Sequence, residues 1–443
     1  MIFSDKSAIS FSDDHPAACD VVVVGGGVIG TSTAYFLARK GLKVTLCEKG
    51  GVAGEQSSRN WGWIRQQGRD AAELPIVIDA INTWEALSRE LDEDIGFTRQ
   101  GVLYAAENEA QLAEFEQWMQ IAQQHQLDTR LLSGGEVDGL IQDKPGQWLG
   151  AMFTPSDGRA EPFKAVPALA RGLQKLGGSV IEQCAVRDID MQAGQVAGVV
   201  TERGRIGCQS VVLAGGAWSS LFLANLGVNL PQLTVRATVA RTIPTDDIYA
   251  GNAALGEVAI RRRQDGGYTI AASDTNEHFV GADSFRHFFK FLPALYSARG
   301  YVNLRFDGDV VNRFSRPRRW AADAETVFEK QRVLNPEPSA KALNRMRLGL
   351  AKRVPKLAEL AFAEAWAGMI DVTPDVVPVM DQLPQHAGLF VATGFSGHGF
   401  GIGPGAGQVM ADMVLGDSAR HDLQRFRFSR FSDGSKMQPG PGL

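Results

Sequence analysis

The sequence lacks most of the features that would assign it to a specialised class of protein. Only 4 of its 443 residues are cysteines, and Cys19, Cys47, Cys184 and Cys208 lie far apart, with no Cys-x-x-Cys pair and no histidine at metal-ligand spacing. We therefore expect no metal site, no disulfide framework and a reducing, cytoplasmic location. No uncharged apolar run reaches the roughly 18 residues of a spanning helix. We expect no membrane span, although peripheral association stays open.

The composition also gives no sign of disorder or of a nucleic-acid partner. Hydrophobic residues make up 44% of the chain, charged residues make up 21%, and the formal net charge is −5. These values are typical of a globular protein long enough for two domains. A basic cluster at 261–263 is too short to indicate nucleic-acid binding. Residues 1–19 and 431–443 are expected to be loose tails.

A glycine-rich turn near the start is the most informative motif. Four valines, Val21–Val24, predict a strand buried on both faces, and Gly25, Gly27 and Gly30 follow it as G-x-G-x-x-G. A helix is predicted over 28–40 and a second strand over 42–47. Glu48 then lies 18 residues after Gly30, close to the spacing at which an acidic side chain binds a ribose. The pattern predicts a dinucleotide-binding βαβ unit, with FAD and NAD both open.

The rest of the chain alternates α/β segments with a differently composed middle. The predicted helices cover 76–93, 108–125, 162–176, 339–353 and 404–415. The predicted strands include 97–105, 179–184, 197–202, 210–213, 235–242, 258–262, 268–272 and 388–393. Small residues follow the strands at 210–213 and 388–393, which is typical of close backbone approach to a ligand.

Four ordered segments together resemble the FAD-dependent D-amino-acid oxidase superfamily, in its branch of glycine and sarcosine oxidases and D-amino-acid dehydrogenases. They are Gly25-x-Gly27-x-x-Gly30 with Glu48, residues 53–59 (AGEQSSR), residues 214–218 (AGGAW) and residues 394–401 (GFSGHGFG). Locally, residues 53–59 and the stretch from 200–204 (VTERG) through 288–293 (FFKFLP) look most like bacterial L-amino-acid deaminases. The Gly394–Gly401 loop instead follows the sarcosine-oxidase pattern.

The resemblance implies a fold with two parts. One is an α/β, Rossmann-like FAD-binding domain of the glutathione-reductase type, expected over 20–98, 155–225 and 366–430. The other is an α+β substrate domain with a mainly antiparallel sheet, expected over 99–154 and 226–365, with a helical insertion at about 315–360.

The resemblance also implies the residues that hold FAD. The region 366–370 contains no cysteine, so the cofactor is expected to be non-covalent. The implied cofactor-binding residues are Gly25, Gly27, Val28, Ile29, Gly30, Glu48, Lys49, Ser57, Ser58, Arg59, Val186, Ala214, Gly215, Trp218, Gly368, Gly397, His398, Gly399, Phe400 and Gly401.

The substrate site is expected to contain arginine, because its planar fork matches the two oxygens of a carboxylate. Arg261 is the leading candidate and Arg65 is the second; Arg263 shares the face of Arg261 on the same predicted strand. Trp61 and Trp63 either wall this pocket or pack in the core. His398 is a candidate for proton transfer, with a structural role as the alternative.

These features predict an FAD-dependent enzyme that oxidises an α-amino acid. Hydride transfer from Cα to flavin N5 would give an imino acid, which hydrolyses to a 2-oxo acid and ammonia. One alternative is oxidation of a secondary amine such as an opine, sarcosine or an imino acid, by the chain alone or as a subunit of a complex. A second alternative is an NAD-dependent dehydrogenase. The electron acceptor is expected to be oxygen, a quinone or an electron-transfer partner.

Overall fold

The computed structural model describes residues 3–4, 6–143, 146–297, 300 and 302–440. The strands are β1 Val21–Val24, β2 Val44–Cys47, β3 Trp63–Ile64, β4 Thr98–Arg99, β5 Val102–Ala106, β6 Arg130–Ser133, β7 Gly150–Thr154, β8 Gly158–Arg159, β9 Ser179–Ile181, β10 Val186–Gln192, β11 Gln195–Thr201, β12 Gly204–Gly207, β13 Ser210–Leu213, β14 Leu233–Thr242, β15 Asn252–Leu255, β16 Val258–Arg262, β17 Tyr268–Ala272, β18 Asn276–Phe279, β19 Val302–Arg305, β20 Phe362–Val372, β21 Val379–Gln382 and β22 Leu389–Thr393. The helices are α1 Val28–Arg39, α2 Gln56–Arg59, α3 Leu74–Glu90, α4 Glu109–Gln124, α5 Gly134–Leu140, α6 Pro162–Lys175, α7 Ser219–Asn225, α8 Ala282–Arg286, α9 Phe288–Ser297, α10 Val310–Ser315, α11 Val327–Lys330, α12 Ala340–Arg353, α13 Pro355–Ala358 and α14 Gly399–Leu415.

A six-stranded sheet carries the nucleotide-binding motif. Its order is β21-β22-β13-β1-β2-β9, and all neighbours pair in parallel except β21 with β22. Strand β1 lies between β13 and β2, so Val22 pairs with Val211 on one side and with Thr45 on the other. This inner position explains the all-valine sequence, because strands covered on both faces bury every side chain.

A second, larger sheet has the order β19-β18-β14-β17-β16-β15-β5-β7-β6, with β20 also paired to β14. Its pairs are antiparallel except β15 with β5 and β18 with β19. The β14–β20 ladder runs from Leu233–Val372 to Thr242–Phe362. The fold is therefore of the expected α/β class with a mainly antiparallel second sheet, whereas the domain boundaries stay a prediction.

Helix α14 packs tightly between α1 and α3, and its glycines make this possible. A Cβ on Gly403 would lie 2.6 Å from Cγ2 of Val28, and one on Gly407 would lie 2.6 Å from Cβ of Ser32. A Cβ on Gly405 would lie 2.6 Å from the carbonyl oxygen of Ile76 in α3. The glycine run at 399–407 therefore allows close helix packing as well as a ligand-facing turn.

The structure differs from the sequence expectations in several places. Helix α14 begins at Gly399 rather than at Pro404, because a proline near the start removes only one internal amide donor. Strand β20 and helix α9 were not anticipated, since Phe362–Val372 shows no clean alternation and Phe288–Ser297 is apolar nearly throughout. The region 315–360 contains the short helix α11 and the longer helix α12.

Part of the N-terminal segment that was expected to be loose makes ordered contacts. The amides of Ser10 and Phe11 donate to Oε2 of Glu182, and Phe11 is buried. No helix in the described part of the chain is both long and apolar enough to cross a bilayer.

Candidate active site

The glycine turn between β1 and α1 forms an anion-binding end. Gly25 has φ +110°, and a Cβ there would lie 2.5 Å from the carbonyl oxygen of Ala214. A Cβ on Gly30 would lie 1.9 Å from the carbonyl oxygen of Gly25, so neither position can carry a side chain. The amide of Val28 donates to Oγ of Ser57 at 2.8 Å. The other amides and the positive dipole of the first turn of α1 favour a negatively charged ligand.

Glu48 follows β2 and lies beside this turn. Its Oε2 accepts a hydrogen bond from the Gly26 amide at 2.6 Å, and its Oε1 accepts one from the Gly50 amide at 2.7 Å. Burial raises the pKa of this carboxyl group, and the two amides and Lys49 oppose that shift. The two hydrogen bonds fix the carboxylate at the position where a ribose is expected.

A large open cavity, with an empty volume of about 1250 Å³, extends from this turn. Many of the predicted cofactor residues line it: Gly25, Gly27, Val28, Ile29, Glu48, Lys49, Ser57, Val186, Ala214, Gly215, Trp218, Gly397, Gly399 and Phe400. The remaining ones, Gly30, Ser58, Arg59, Gly368, His398 and Gly401, are not part of its lining. Their roles, like those of the substrate residues, stay predictions.

Arg332, which sequence reasoning did not single out, lines the cavity beside two predicted cofactor residues, Lys49 and Trp218. Arg332 donates to both carboxylate oxygens of Glu202 at 2.6 Å and to the carbonyl oxygen of Lys49 at 2.8 Å. Lys49 donates to Glu55 at 2.7 Å, and its Nζ lies 4.6 Å from the centre of the Trp218 ring. These contacts tie the segment that follows α11 to the glycine-rich turn.

Asp371 on β20 lines another part of the cavity. Its Oδ2 accepts hydrogen bonds from the amide of Gly394 at 2.7 Å and from the side chains of Thr393 and Gln232, each at 3.3 Å. Burial raises the pKa of Asp371 to about 6, against the effect of these donors. The carboxylate therefore joins β20 to the end of β22, where the second glycine-rich loop begins.

His398, directly before α14, contacts a buried glutamate. Its Nδ1 lies 3.3 Å from Oε2 of Glu73, and the two side chains are 4% and 1% exposed. Burial and the nearby Arg69 lower the pKa of His398 to about 4, so the imidazole is neutral at neutral pH. Nothing in the sequence near Glu73 indicated this contact, because the two residues are 325 positions apart.

Two arginines lie close to this pair. Arg65 contacts the Tyr104 ring, with 5.5 Å from its Cζ to the ring centre, and its Nη1 donates to the carbonyl oxygen of Gln67. Arg69 is 5% exposed, and its Nη1 is buried with no hydrogen-bond acceptor among the described residues. Burial and the positive charge of Arg65 lower the pKa of Arg69 to about 9, although Glu73 opposes the shift. This group of side chains can accept an additional anion.

Arg261, the leading sequence candidate, is held in a different way. Its guanidinium is 1% exposed and donates to Glu161 at 3.0 Å, to the carbonyl oxygen of Ala160 at 3.0 Å and to Thr269 at 3.1 Å. Burial lowers its pKa and Glu161 opposes that shift. Arg263 is 5% exposed and pairs with Asp265 at 3.0 Å. Arg261 and Arg263 therefore already have anionic partners.

The tryptophans pack against the larger sheet, where Trp63 is buried in a cluster with Val102, Ala259 and Ala271. The rings of Trp61 and Trp63 are 5.4 Å apart and edge to face, and Trp63 lies 6.4 Å from Tyr104. A Cβ on Gly62, between them, would lie 2.9 Å from Cζ of Arg261. The segment 61–65 therefore joins the Arg261 side of the site to the Arg65 side.

Comparison with known proteins identifies the family. Residues 20–413 match the family described as FAD dependent oxidoreductase. The chain belongs to this family. Family membership resolves the choice between FAD and NAD in favour of FAD.

The chain is similar to several members of this FAD-dependent oxidoreductase family. It is 26% identical to sarcosine oxidase subunit beta of Rhodobacter capsulatus, covering 94% of this chain and 90% of that one. It is 25% identical to human mitochondrial sarcosine dehydrogenase, but spans only 42% of that longer protein. The solved structure of L-amino acid deaminase from Proteus myxofaciens, in complex with anthranilate, superposes with a TM-score of 0.92 at 29% identity, covering 98% of this chain and all of the other.

The cavity fits the FAD that the family requires. Its glycine turn excludes side chains where a pyrophosphate would approach, and Glu48 lies where a ribose would bind. Oε1 of Gln56, a lining residue, is buried and has no hydrogen-bond partner within the described part of the chain. An unpaired buried amide oxygen of this kind is expected where a bound molecule supplies the donor. Val28, Glu48 and Gln56 would thus hold the cofactor, together with the loop before α14.

Proposed function

We propose that this protein oxidises an α-amino acid, with a primary L-amino acid as the leading substrate. The group formed by the partly buried Arg65 and the buried Arg69 beside His398 is the observation that carries the proposal, because it can bind a carboxylate next to the loop that lines the cofactor cavity. The similarity to an L-amino acid deaminase, with a TM-score of 0.92 at 29% identity, supports the L configuration. The product would be an imino acid that hydrolyses to a 2-oxo acid and ammonia.

Arg65 and Arg69 would bind the substrate carboxylate. The guanidinium of Arg65 is only partly buried, and that of Arg69 has a buried nitrogen without an acceptor. A carboxylate bound there would satisfy these donors in a water-poor site, where charge-assisted hydrogen bonds are strong. At Arg261, by contrast, a substrate carboxylate would compete with Glu161. We therefore assign Arg261 to positioning the 61–65 segment.

His398 would act on the substrate nitrogen. Its pKa of about 4 keeps it neutral, and its Nε2 has no hydrogen-bond partner among the described residues. A proton on Nδ1 would face Glu73, which leaves Nε2 as an acceptor for a hydrogen bond from the substrate nitrogen. With a pKa of about 4, His398 is too weak a base to take an ammonium proton, so the substrate would bind as the neutral amine, which His398 orients and from which hydride loss is easier. FAD, when bound, accepts the hydride.

The first turn of α14 would stabilise negative charge on the reduced cofactor. Gly397, Gly399 and Phe400 line the cavity, and His398 provides no side-chain cap for the helix amides. Unsatisfied amides and the positive end of the helix dipole stabilise a negative charge placed before them. Gly399 would thus contribute through its backbone.

Oxidation of a secondary amine is the second candidate function. The 26% identity to sarcosine oxidase subunit beta, across 90% of that subunit, favours this second candidate, in which the chain would act as one subunit of a multi-subunit enzyme. The two candidates predict different products, since a primary amino acid releases ammonia and an N-methyl amino acid releases its amine.

We propose a quinone or an electron-transfer protein as the electron acceptor in preference to oxygen. Sarcosine-type oxidases resemble this chain at Gly-His-Gly-Phe but carry a lysine where this chain has Gly401. A Cβ at Gly401 would lie only 3.3 Å from the carbonyl oxygen of Trp63, which leaves little space for a long side chain. The Gly401 carbonyl also accepts a hydrogen bond from Trp84 at 3.0 Å.

Product analysis tests this proposal. The purified protein would be incubated with L-amino acids, D-amino acids and N-methyl amino acids, with an artificial quinone or with oxygen as acceptor. Ammonia and a 2-oxo acid formed from L-amino acids would support the proposal. Methylamine or formaldehyde from N-methyl amino acids alone would favour the second candidate, and no product from any amine would exclude both.

A further inference from the structure

A short segment that includes α11 reaches the cofactor cavity from outside the six-stranded sheet and its loops. We use the name clasp for residues 327–335, which consist of α11 and the five residues that follow it. Phe328, Arg332 and Val333 line the cavity, and within the described part of the chain no other residue between 223 and 368 does so. The clasp is therefore a separate wall of the cavity.

An ion pair holds the middle of the clasp at the end of the cavity where a ribose is expected. Arg332 donates to both carboxylate oxygens of Glu202 at 2.6 Å, and Oε1 of Glu202 also accepts the amide of Ala185 at 2.6 Å. Val186, the next residue, is a predicted cofactor residue and lines the cavity. The side chains of Arg332 and Glu202 are 22% and 16% exposed, so salt and water screen their attraction only in part. Arg332 is thus tied to the backbone that carries Val186.

The clasp is also hydrogen-bonded to the loop that follows β2. Arg332 donates to the carbonyl oxygen of Lys49 at 2.8 Å, and Lys49 donates in return to the carbonyl oxygen of Arg332 at 2.7 Å. The amide of Leu334 donates to Glu55 at 3.0 Å. A Cβ on Gly50 would lie 2.4 Å from the carbonyl oxygen of Arg332, so the two backbones pass too closely to admit a side chain there. The clasp therefore closes directly onto this loop.

Side-chain contacts rather than regular structure hold the clasp in place. It contains no strand, and α11 is only four residues long. Phe328 is buried, with its ring centre 5.7 Å from that of Trp218, and Glu329 pairs with Arg187 at 2.5 Å. Segments held in this way open locally at a lower free energy than the strands of a sheet. Breaking these contacts can thus open the cavity while both large sheets stay folded.

We propose that the clasp retains the cofactor, and that the Arg332–Glu202 ion pair controls how fast FAD leaves the cavity. The region 366–370 has no cysteine for a covalent tether. Retention would then depend on non-covalent walls, of which the clasp is the one that can move aside. FAD binding is a property of the family, so retention by the clasp does not depend on which amine the protein oxidises.

The rate of FAD release tests the proposal. The FAD-loaded full chain would be diluted into buffer without flavin, and bound and free flavin would be separated on a desalting column at successive times. Arg332→Met should release FAD at least about tenfold faster than the natural protein, because charge-assisted hydrogen bonds are lost. Arg332→Lys should release it at an intermediate rate, since lysine keeps the charge without the planar fork. Glu202→Gln/Arg332→Met should be no faster than Arg332→Met alone, because both substitutions remove the same contact.

Trypsin cleavage after Lys330 measures the opening of the clasp without any reaction of the flavin. The side chain of Lys330 is 63% exposed, and the bond to Gln331 becomes accessible when the clasp leaves the cavity. We expect saturating FAD to slow this cleavage by at least about tenfold in the natural protein, because FAD binds the closed state. The same FAD concentration should protect Arg332→Met far less.

Arg345→Met provides the matched control. Arg345 in α12 pairs with Asp274 at 2.6 Å, and neither residue lines the cavity. This variant should release FAD and be cleaved after Lys330 as the natural protein is, and the thermal midpoints of the flavin-free forms show how far each substitution affects the fold itself. The proposal is overturned if Arg332→Met releases FAD no faster than the natural protein or the control does. It is also overturned if FAD leaves the cleavage rate unchanged or if the natural protein binds no FAD.

Discussion

The Nδ1 atom of His398 lies 3.3 Å from Oε2 of Glu73, with both side chains almost completely buried. Glu73 directly precedes α3 and His398 directly precedes α14, so the contact joins the starts of two packed helices. Because burial and Arg69 hold the pKa of His398 at about 4, the pair is a carboxylate facing a neutral imidazole at neutral pH. We therefore propose that Glu73 is a positioning residue that selects the tautomer of His398.

We expect Glu73→Gln to lower the rate of flavin reduction by about 100-fold, as expected when a reacting group is misplaced by about 1 Å. An amide in place of the carboxylate removes the preference for a proton on Nδ1. The rate should be measured across pH by mixing substrate and enzyme without oxygen. Glu85→Gln, on the surface of the same helix α3, should leave both the rate and its pH profile unchanged. A Glu73→Gln variant with an unaltered profile would show that the contact is only structural.

We expect Arg65→Met to lower kcat/KM by at least about 30-fold, because the substrate carboxylate would lose a charged hydrogen-bond partner whose interaction contributes about 2 kcal/mol. Arg65→Lys should recover only part of this loss, because lysine lacks the planar fork. The thermal midpoint should change little in both variants, since Arg65 makes few contacts with the protein. Kinetics with one primary amino acid and a matched thermal scan provide the measurement.

Arg261→Met should act mainly on stability. It leaves the buried carboxylate of Glu161 without its ion-pair partner, which costs about 3–5 kcal/mol. The double variant Glu161→Gln/Arg261→Met should recover much of the thermal midpoint and keep measurable activity. Retained stability with complete loss of amino-acid binding would instead identify Arg261 as the carboxylate anchor.

The lowered pKa of His398 should make the folded protein less stable at low pH. The folded-state pKa is about 4 and the ordinary value is 6.5, so the unfolded state binds more protons between these values. The contribution of neutral His398 to the free energy of unfolding is fully present above pH 6.5. This contribution falls by up to about 3 kcal/mol on acidification to pH 4. His398→Gln removes this titration. The difference in thermal midpoint between the natural protein and the variant should shrink from pH 7 to pH 4, and a constant difference would contradict the assignment.

Gly407→Ala should destabilise the packing of α14 against α1 by about 1–3 kcal/mol. The new Cβ would lie 2.6 Å from Cβ of Ser32 and 2.7 Å from its carbonyl carbon, and backbone atoms cannot move aside easily. Because α1 and α14 both begin at the cofactor cavity, FAD should also dissociate more readily. Gly139→Ala in α5, where a Cβ would meet no atom within 4 Å, should stabilise the chain slightly. Thermal scans that follow flavin fluorescence compare the two.

Local sequence patterns predicted the nucleotide-binding half of the molecule well. Strand β1, helix α1 and strand β2 follow one another within 27 residues, so periodicity and glycine spacing were sufficient to locate them. Strand β20 was not predicted because its partner β14 lies more than a hundred residues earlier in the chain. The order of apolar and polar residues in β20 reflects burial against β14 and α9. Pairings over such a distance leave no local signal.

The same limit applies to the site. Glu73 and His398, and likewise Lys49 and Arg332, meet only through the tertiary fold. The sequence near Glu73 carried no signal of the contact, because an acidic residue directly before a helix is ordinary and its burial depends on the tertiary fold. Arg69 could not be identified from the sequence, because the rule that a buried arginine needs a partner applies only once its burial is known.

Anaerobic reduction of the bound flavin tests the central claim most directly. The purified protein would be mixed without oxygen with L-amino acids, D-amino acids and N-methyl amino acids, and the visible absorbance of the flavin followed with time. We predict rapid loss of the absorbance with one or more L-amino acids, and slow or no loss with the other two groups. Rapid loss with N-methyl amino acids alone, or no loss with any amine, would contradict the account.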